Sequence, residues 1–311
     1  TINDGALQNT YTFKVTVVPA PQYYWGILAG STAGTAGSAN GTGTSATFSG
    51  PNGMVRDSQG NLYVADGSNH VIRKIDPVTA AVTTFAGTMG VTGFVNATGT
   101  AAKFNRPCGL AIDAQDNIYV ADASNFVIRK ITPAGVVTTF AGAGTAGSAN
   151  GAVGSATFNS PTDMAITPSG VMYVADQVNH VIRKIENGQV TTIAGLAGTL
   201  GNVDGTGSAA RFNQPSWITL SPDGTLLIRD GANSANIRKL DPATGVVTTF
   251  AAGSANLYSG VGVDSTGLVY TALSANTITL ISDFDRVNLV GNGTAGSVLG
   301  INTAATINDP R

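Results

Sequence analysis

The sequence predicts an all-β propeller, because one strand-rich segment recurs along the chain at nearly constant spacing. Its four copies begin at Tyr63, Tyr119, Tyr173 and Leu227, so successive starts are 56, 54 and 54 residues apart. Repeats of about 40 to 55 residues that hold several short strands are typical of propeller blades. The 311 residues are therefore predicted to form mainly one array of blades.

Each repeat has the pattern of four antiparallel strands. In the second copy, short apolar runs at 109–113 and 118–122 precede an alternating run at 127–131 and a further apolar run at 136–140. Polar turns of a few residues separate these runs, which favours hairpin connections. The alternation of apolar and charged residues predicts a half-buried third strand.

Five full blades are predicted, and the fifth is degenerate. They begin near Gly53, Gly109, Asp163, Trp217 and Gly260. The last of them lacks the Asp and the Arg-Lys pair that the other copies share. Atypical terminal repeats are common where an array of repeats ends.

A long Gly-rich connector precedes most blades and ends in Phe followed by Pro. We expect the Phe to fill the space between blades and the Pro to begin the innermost strand, where no ladder N–H is needed. All connectors are predicted to emerge on one face. The four Phe and Pro positions are Phe48 and Pro51, Phe104 and Pro107, Phe158 and Pro161, and Phe212 and Pro215.

The segment Asn-His-Val-Ile-Arg-Lys-Ile occurs at 69–75 and again at 179–185, and a connector of related type spans 204–215. These motifs resemble the NHL-repeat family of β-propellers over about residues 22–310. Propellers of that family usually have six blades, so the resemblance implies a sixth blade that is composite or incomplete. Residues 22–311 are assigned to the propeller and residues 1–21 to an N-terminal extended strand segment.

Residues 4–21 resemble the final strand and exit linker of bacterial immunoglobulin-like or cadherin-like surface modules. Four alternating side chains, Tyr11, Phe13, Val15 and Val17, mark one face of this candidate closure or assembly strand. Three interpretations stay open. The strand completes the sixth blade of its own chain, it adds to the incomplete blade of a neighbour and so builds a filament, or the chain, which begins at Thr1, is a processed piece of a longer surface protein.

Composition excludes some classes of partner. Charged residues make up only 11% of the chain and the net charge is −2, so nothing indicates nucleic acid or an anionic membrane as a partner. No apolar run is long enough for a membrane span. The single cysteine, Cys108, cannot form an intrachain disulfide and is interpreted as a small half-buried residue. A sparsely charged surface rich in Thr, Ser and Asn favours an extracellular or cell-surface protein of bacterial or archaeal origin.

One aspartate and one arginine recur in each of the first four blades. They are predicted to form inter-strand or inter-blade ion pairs, because a charge repeated at the same strand ends in every blade is more typical of structure than of a site. The alternative is a ring of charges around the axial opening. The residues are Asp66, Asp122, Asp176 and Asp230, with Arg73, Arg129, Arg183 and Arg238.

No catalytic or metal site is predicted. His70 and His180 share one repeat position, two blades apart, and are interpreted as polar residues on an exposed turn. Some NHL-type propellers are enzymes, among them the peptide-amidating lyase and the streptogramin lyase-like proteins. Their resemblance implies histidines, a general base and a divalent cation at the axis, but this chain has two histidines and one glutamate, Glu186. A calcium role for Asp204 is not favoured, since Asn40 and Asn150 stand at its position in sibling connectors.

The sequence therefore predicts an extracellular, non-catalytic propeller without cofactor that acts as a structural or adhesive unit. Its partners are other copies of itself, in a head-to-tail polymer joined by strand addition, or a surface protein or glycan. The alternative is a monomeric module whose connector face binds a glycan or a protein. A metal-dependent lyase is the third interpretation.

Overall fold

The computed structural model describes residues 2–3, 10–11, 27–231, 236–252, 258–273, 277–281 and 286–290. Within these ranges there is no α-helix, and no helical turn has the length and apolarity needed to cross a membrane. The predicted all-β propeller is confirmed, because the described strands form successive antiparallel sheets around a common axis. Six single turns of 3-10 helix lie at Gly43–Ser45, Gly67–Asn69, Gly99–Ala101, Ala123–Asn125, Gln177–Asn179 and Gly207–Ala209.

The N-terminal segment contains two short strands, β1 (Ile2–Asn3) and β2 (Thr10–Tyr11), which pair with each other. Tyr11 lies opposite Ile2 in this pair. Phe13, Val15 and Val17 lie outside the described residues, as does the end of the chain from residue 291. The composite sixth blade thus stays a prediction.

The described residues then form five blades, and in each the four main strands lie side by side in chain order, with the first of them innermost. A two-residue strand from the preceding connector is added to the outer edge of blades 1, 3 and 4. Blade 1 consists of β3 (Gly41–Thr42), β4 (Pro51–Arg56), β5 (Leu62–Asp66), β6 (Val71–Ile75) and β7 (Ala81–Ala86), and blade 2 of β8 (Pro107–Ile112), β9 (Ile118–Asp122), β10 (Val127–Ile131) and β11 (Val137–Ala141).

The later blades repeat this arrangement, and in blade 4 the innermost strand is shortened. Blade 3 consists of β12 (Gly151–Ala152), β13 (Pro161–Ile166), β14 (Met172–Asp176), β15 (Val181–Glu186) and β16 (Gln189–Ala194). Blade 4 consists of β17 (Gly205–Thr206), β18 (Ile218–Leu220), β19 (Leu226–Asp230), β20 (Asn236–Leu240) and β21 (Val246–Ala251), and blade 5 of β22 (Tyr258–Val263), β23 (Val269–Leu273), β24 (Thr277–Ile281) and β25 (Arg286–Val290).

The core consists of apolar layers between neighbouring blades. Phe104, Phe158 and Phe212 from the connectors are fully buried in these layers, as predicted, whereas Phe48 is only half-buried. In each of the first four blades the outermost strand carries a β-bulge beside the repeated arginine, and in blade 1 the extra residue is Phe85. The third strand keeps regular pairing with its inner neighbour, and the connector covers the face that carries the arginine. The prediction of a half-buried third strand is therefore wrong in one respect, because the arginine is buried and only the following lysine reaches solvent.

Candidate functional site

The repeated Asp–Arg pairs lie inside the blades and hold the connectors. In blade 1, Arg73 Nη1 lies 2.9 Å from Asp66 Oδ2, and both side chains are fully buried. The second oxygen of Asp66 accepts a hydrogen bond from Ser49 N at 2.7 Å. Asn69 Nδ2 donates to Asp66 Oδ2 at 2.9 Å and to the carbonyl of Gly37 at 2.8 Å. The same arrangement recurs around Arg129, Arg183 and Arg238.

Each buried guanidinium also binds two carbonyls of the connector. Arg73 donates to the carbonyl of Thr47 at 3.0 Å and to that of Ala39 at 2.8 Å, and it lies over the ring of Phe48. Its Nε has no hydrogen-bond partner, as is true of the other three arginines. These contacts place the pairs between strand and connector. They account for the repeated charges as anchors of the connectors rather than as a ring at the axial opening.

Asp204 occupies a connector position held by asparagine in sibling repeats. Its Oδ1 accepts a hydrogen bond from Arg238 Nη2 at 2.7 Å, as Asn40 Oδ1 does from Arg73 Nη2 at 2.9 Å. The carboxylate thus serves as a connector anchor. Among the described residues, no three His, Cys, Asp or Glu side chains form a cluster that could hold a metal ion.

The two histidines join neighbouring blades. His70 Nδ1 accepts a hydrogen bond from Arg106 N at 3.1 Å, and His180 Nδ1 accepts one from Gln214 N at 3.1 Å. Both histidines have a left-handed backbone, with φ near 60°. They are half-buried rather than exposed, and burial lowers the pKa of each imidazole. The neutral ring with an unprotonated Nδ1 is the form that these contacts require.

The innermost strands enclose an axial channel with two chambers. The wide chamber has a volume of about 720 Å³ and is lined by strands of all five blades. The small chamber has a volume of about 220 Å³ and lies at the other end of the innermost strands. The boundary between the chambers, which we call the constriction, is formed by the residues that line both: Asn52, Gly53, Asp163 and Trp217.

The constriction is narrow because backbones approach closely there. A Cβ added to Gly53 would lie 2.7 Å from Gly109 Cα, and one added to Gly109 would lie 2.5 Å from Asp163 Cα and collide with Asp163 Oδ1. Only glycine permits such an approach at these two positions. Asp163 takes the place of the next glycine in the series. Its Oδ2 accepts a hydrogen bond from Ile218 N of blade 4 at 3.0 Å, so its carboxyl spans the junctions on both sides of blade 3.

Asp163 is an unusual carboxyl. Removal from bulk water raises its pKa to about 7, and this effect outweighs the hydrogen bonds from Ile218 N and Met164 N that favour its charged form. Within the described part of the chain it forms no ion pair. Strongly perturbed carboxyls in a cleft are candidates for functional groups.

Blade 4 adds two further departures from the repeat at the same place. Trp217 stands where blades 1 and 2 have Gly53 and Gly109, and Arg229 stands where the Tyr-Val-Ala-Asp copies have Ala65, Ala121 and Ala175. The Arg229 guanidinium lies over the Trp217 ring, 5.6 Å from its centroid. Its Nη1 also donates to Ser216 Oγ at 2.9 Å. One wall of the channel is therefore chemically distinct from the others.

Cys108 lines the small chamber and is buried. Burial raises the pKa of its thiol to about 11, so the sulfur is protonated at neutral pH. A nucleophilic cysteine requires the thiolate form. The geometry thus agrees with the interpretation of Cys108 as a small structural residue.

Asp163, Trp217 and Arg229 were not predicted from the sequence as site residues, whereas the repeated aspartates and arginines were predicted to form ion pairs. The signal was present as three departures from the repeat at aligned positions. Nothing in the linear spacing shows that these positions meet, since the innermost strands converge only when the blades are arranged around the axis.

Comparison with known proteins agrees with this architecture. Residues 48–75 match the NHL repeat. Mouse (Mus musculus) teneurin-3 is 30% identical over 216 residues, which covers 60% of this chain and 8% of teneurin-3. Arabidopsis thaliana protein SUPPRESSOR OF QUENCHING 1, chloroplastic, is 42% identical over 81 residues, which covers 26% of this chain and 8% of that protein. The chain thus spans less than a tenth of the length of these two relatives.

Among solved structures, a gluconolactonase from Xanthomonas campestris matches with a TM-score of 0.58 and 17% identity, covering 83% of this chain and 78% of that one. The virginiamycin B lyase from Staphylococcus aureus matches with a TM-score of 0.52 and 15% identity, covering 77% and 69%. At these identities the similarity shows the propeller fold alone.

Proposed function

We propose that this chain is a non-catalytic ligand-binding propeller whose axial channel holds a small molecule. The observation that carries the proposal is that Asp163 and Trp217 line the constriction and Arg229 lines the adjoining small chamber. Each of them replaces a small residue of the repeat. Pockets that combine apolar walls with a few convergent polar groups are the usual sites of small ligands.

The titratable groups of the described residues favour binding over catalysis. The thiol of Cys108 is held in its protonated form, and the accepting nitrogen of each histidine is engaged with a backbone N–H. Among the carboxyl groups of the described residues that line the channel, Asp163 has its pKa raised to about 7. A metal-dependent lyase has no cluster of ligands to support it in the described ranges.

A repeat-restored variant tests the proposal. Trp217→Gly combined with Arg229→Ala introduces residues that sibling blades carry at the same positions, so the fold should tolerate both changes. Thermal unfolding of both proteins would be measured against a library of small metabolites. A ligand that binds the folded protein raises the unfolding temperature, and the rise grows with the logarithm of the ratio of free ligand concentration to Kd. Compounds that stabilise the wild type and not the variant support the channel as the site. No stabilising compound, or equal shifts in both proteins, would overturn it.

The structural or adhesive role predicted for an extracellular protein is a second candidate. The observation that bears on it is that Tyr11 pairs with Ile2 in a sheet separate from those of the described blades. If β2 is the start of a strand donated to a neighbour, deletion of residues 1–18 should abolish assembly and leave the blades folded. Light scattering and electron microscopy of both proteins test this, and an unchanged particle mass would exclude strand donation.

The connector face is the alternative binding surface. Exposed apolar side chains on two of its connectors, including Phe94 and Leu200, distinguish them from the connectors rich in Gly, Ala and Ser. Binding of a glycan or protein there would survive Trp217→Gly with Arg229→Ala, whereas binding in the channel would not.

A further inference from the structure

The two chambers and the constriction present three different chemistries in sequence, and together they define a class of ligand. This inference rests on the proposed function, because it names what the channel binds.

The small chamber is suited to an anion. Two guanidinium groups, those of Arg106 and Arg229, line it. Asn52, Thr162, Gln177 and Ser216 add neutral polar side chains to the same wall. Arg229 Nη1 donates a hydrogen bond to Ser216 Oγ, which holds the guanidinium at the wall of this chamber. Arginine side chains with neighbouring amides and hydroxyls are typical ligands of a carboxylate.

The constriction is suited to a cation. The Asp163 carboxyl accepts backbone N–H groups of Ile218 and Met164, and the described residues give it no cationic partner. A protonated amine at this place would supply the missing charge and a hydrogen-bond donor. It would also be adjacent to the anion-binding chamber, since Asp163 lines both chambers.

The wide chamber is suited to an apolar group. Its wall includes Leu110, Ile112, Ile166 and Leu220, and Met54 is 59% exposed. An apolar substituent placed there would remove this surface from water, which is favourable in proportion to the area covered.

We propose that the channel binds a free α-amino acid with an apolar side chain. Its carboxylate lies in the small chamber with Arg106 and Arg229, its ammonium group lies at Asp163, and its side chain extends into the wide chamber. An α-amino acid is the smallest molecule that carries an anion, a cation and an apolar group on one carbon, which matches their order along the channel.

Isothermal titration with four related compounds tests the proposal. Leucine carries all three groups, 3-methylbutylamine lacks the carboxylate, 4-methylpentanoate lacks the ammonium, and N-acetylleucine replaces the ammonium by a neutral amide. We expect leucine to bind and each of the others to bind at least about tenfold more weakly, since each loses a charge-assisted hydrogen bond. Equal binding of N-acetylleucine would overturn the ammonium assignment and indicate a peptide C-terminus instead.

Two variants assign the contacts. Asp163→Asn should weaken the binding of leucine by at least about tenfold and leave the binding of 4-methylpentanoate unchanged. Arg229→Ala should weaken the binding of leucine and leave the binding of 3-methylbutylamine unchanged. Asp76→Asn, in a turn outside the channel wall, is the matched control and should change nothing. Full leucine affinity in Asp163→Asn would contradict the proposal.

The two proposals fail in different ways. If library compounds stabilise the wild type through the channel but leucine does not bind, the amino acid assignment is wrong and the binding function stands. If no compound binds in the channel, both are wrong.

Discussion

Arg238 Nη2 and Asp204 Oδ1 lie 2.7 Å apart, and this contact joins a fully buried arginine to a half-exposed carboxylate of the connector. The same arginine meets Asp230 at 2.9 Å in the interior of the blade. The guanidinium of Arg238 therefore contacts two carboxylates, one half-exposed and one buried. Because these carboxylates differ in exposure, we expect their replacement to have different effects on stability.

Asp204→Asn should change the free energy of unfolding by less than about 1 kcal/mol, because the exposed pair is screened by solvent. Asn40 already makes the equivalent contact in blade 1. Asp230→Asn should cost about 3 kcal/mol, because it removes the buried counter-charge of Arg238 and leaves only the half-exposed Asp204 carboxylate. Urea unfolding at neutral pH measures both. Equal effects would contradict the assignment of different roles.

Arg183→Met should destabilise the protein by about 3–5 kcal/mol, because it leaves Asp176 buried and unpaired and releases two connector carbonyls. Lys184→Met is the matched control on the same strand. Lys184 is partly exposed and pairs with Glu186 on the surface, so its loss should cost less than about 1 kcal/mol. Urea midpoints that shift equally in the two variants would disprove the anchoring role of the arginine.

Asp163→Asn should remove a pH dependence of stability. The folded carboxyl has its pKa raised from 3.8 to about 7, so between these values the unfolded chain releases a proton that the folded chain keeps. Stability of the wild type therefore falls as pH rises from about 4 to about 7. We expect the asparagine variant to gain on the order of 2–4 kcal/mol relative to the wild type over this interval.

Unfolding free energies at pH 4.5 and pH 8 in both proteins provide the measurement. The difference between the two proteins should be larger at pH 8. A constant difference would show that Asp163 titrates alike in the folded and unfolded chains.

His180→Phe should make the protein less sensitive to acid. The imidazole has its folded pKa lowered by burial, so its contribution to stability is present above the unfolded pKa of 6.5 and is lost as pH falls through the lower folded value. Phe126 occupies the same left-handed position in blade 2, so the backbone should accept the change. The urea midpoint should fall less between pH 7.5 and pH 5 in the variant than in the wild type. An equal fall would exclude His180 as a source of acid sensitivity.

Gly109→Ala should destabilise the protein by about 1–3 kcal/mol, because the new methyl group would overlap the backbone of blade 3 and the Asp163 carboxyl. Gly262→Ala is the matched control on the innermost strand of blade 5, where nothing lies within 4 Å of an added Cβ. Thermal unfolding of the two variants provides the comparison. Tolerance of alanine at both positions would mean that the constriction is wider than described.

The repeat itself determined the fold class, the blade order and the strand boundaries. Local apolar alternation and turn residues act within about a dozen residues, so Tyr119 to Ile131 specifies two strands and their turn wherever it stands. The burial of most connector phenylalanines was also predictable, because a large apolar side chain shortly before the proline that begins a blade packs most favourably in the core between blades. The sequence also predicted ion pairs for the repeated Asp and Arg, because a charge repeated at the same strand ends in every blade is more typical of structure than of a site.

Other features were decided by tertiary structure alone. The connector folds over the side chain of Arg73 and accepts its hydrogen bonds, and the linear sequence does not show where the connector lies. Arg229, Trp217 and Asp163 lie in three different segments of the chain, and they line one small chamber only because the innermost strands approach one another at the axis. The pKa of Asp163 follows from that approach, since its displacement depends on removal from water by neighbouring blades rather than on any adjacent residue.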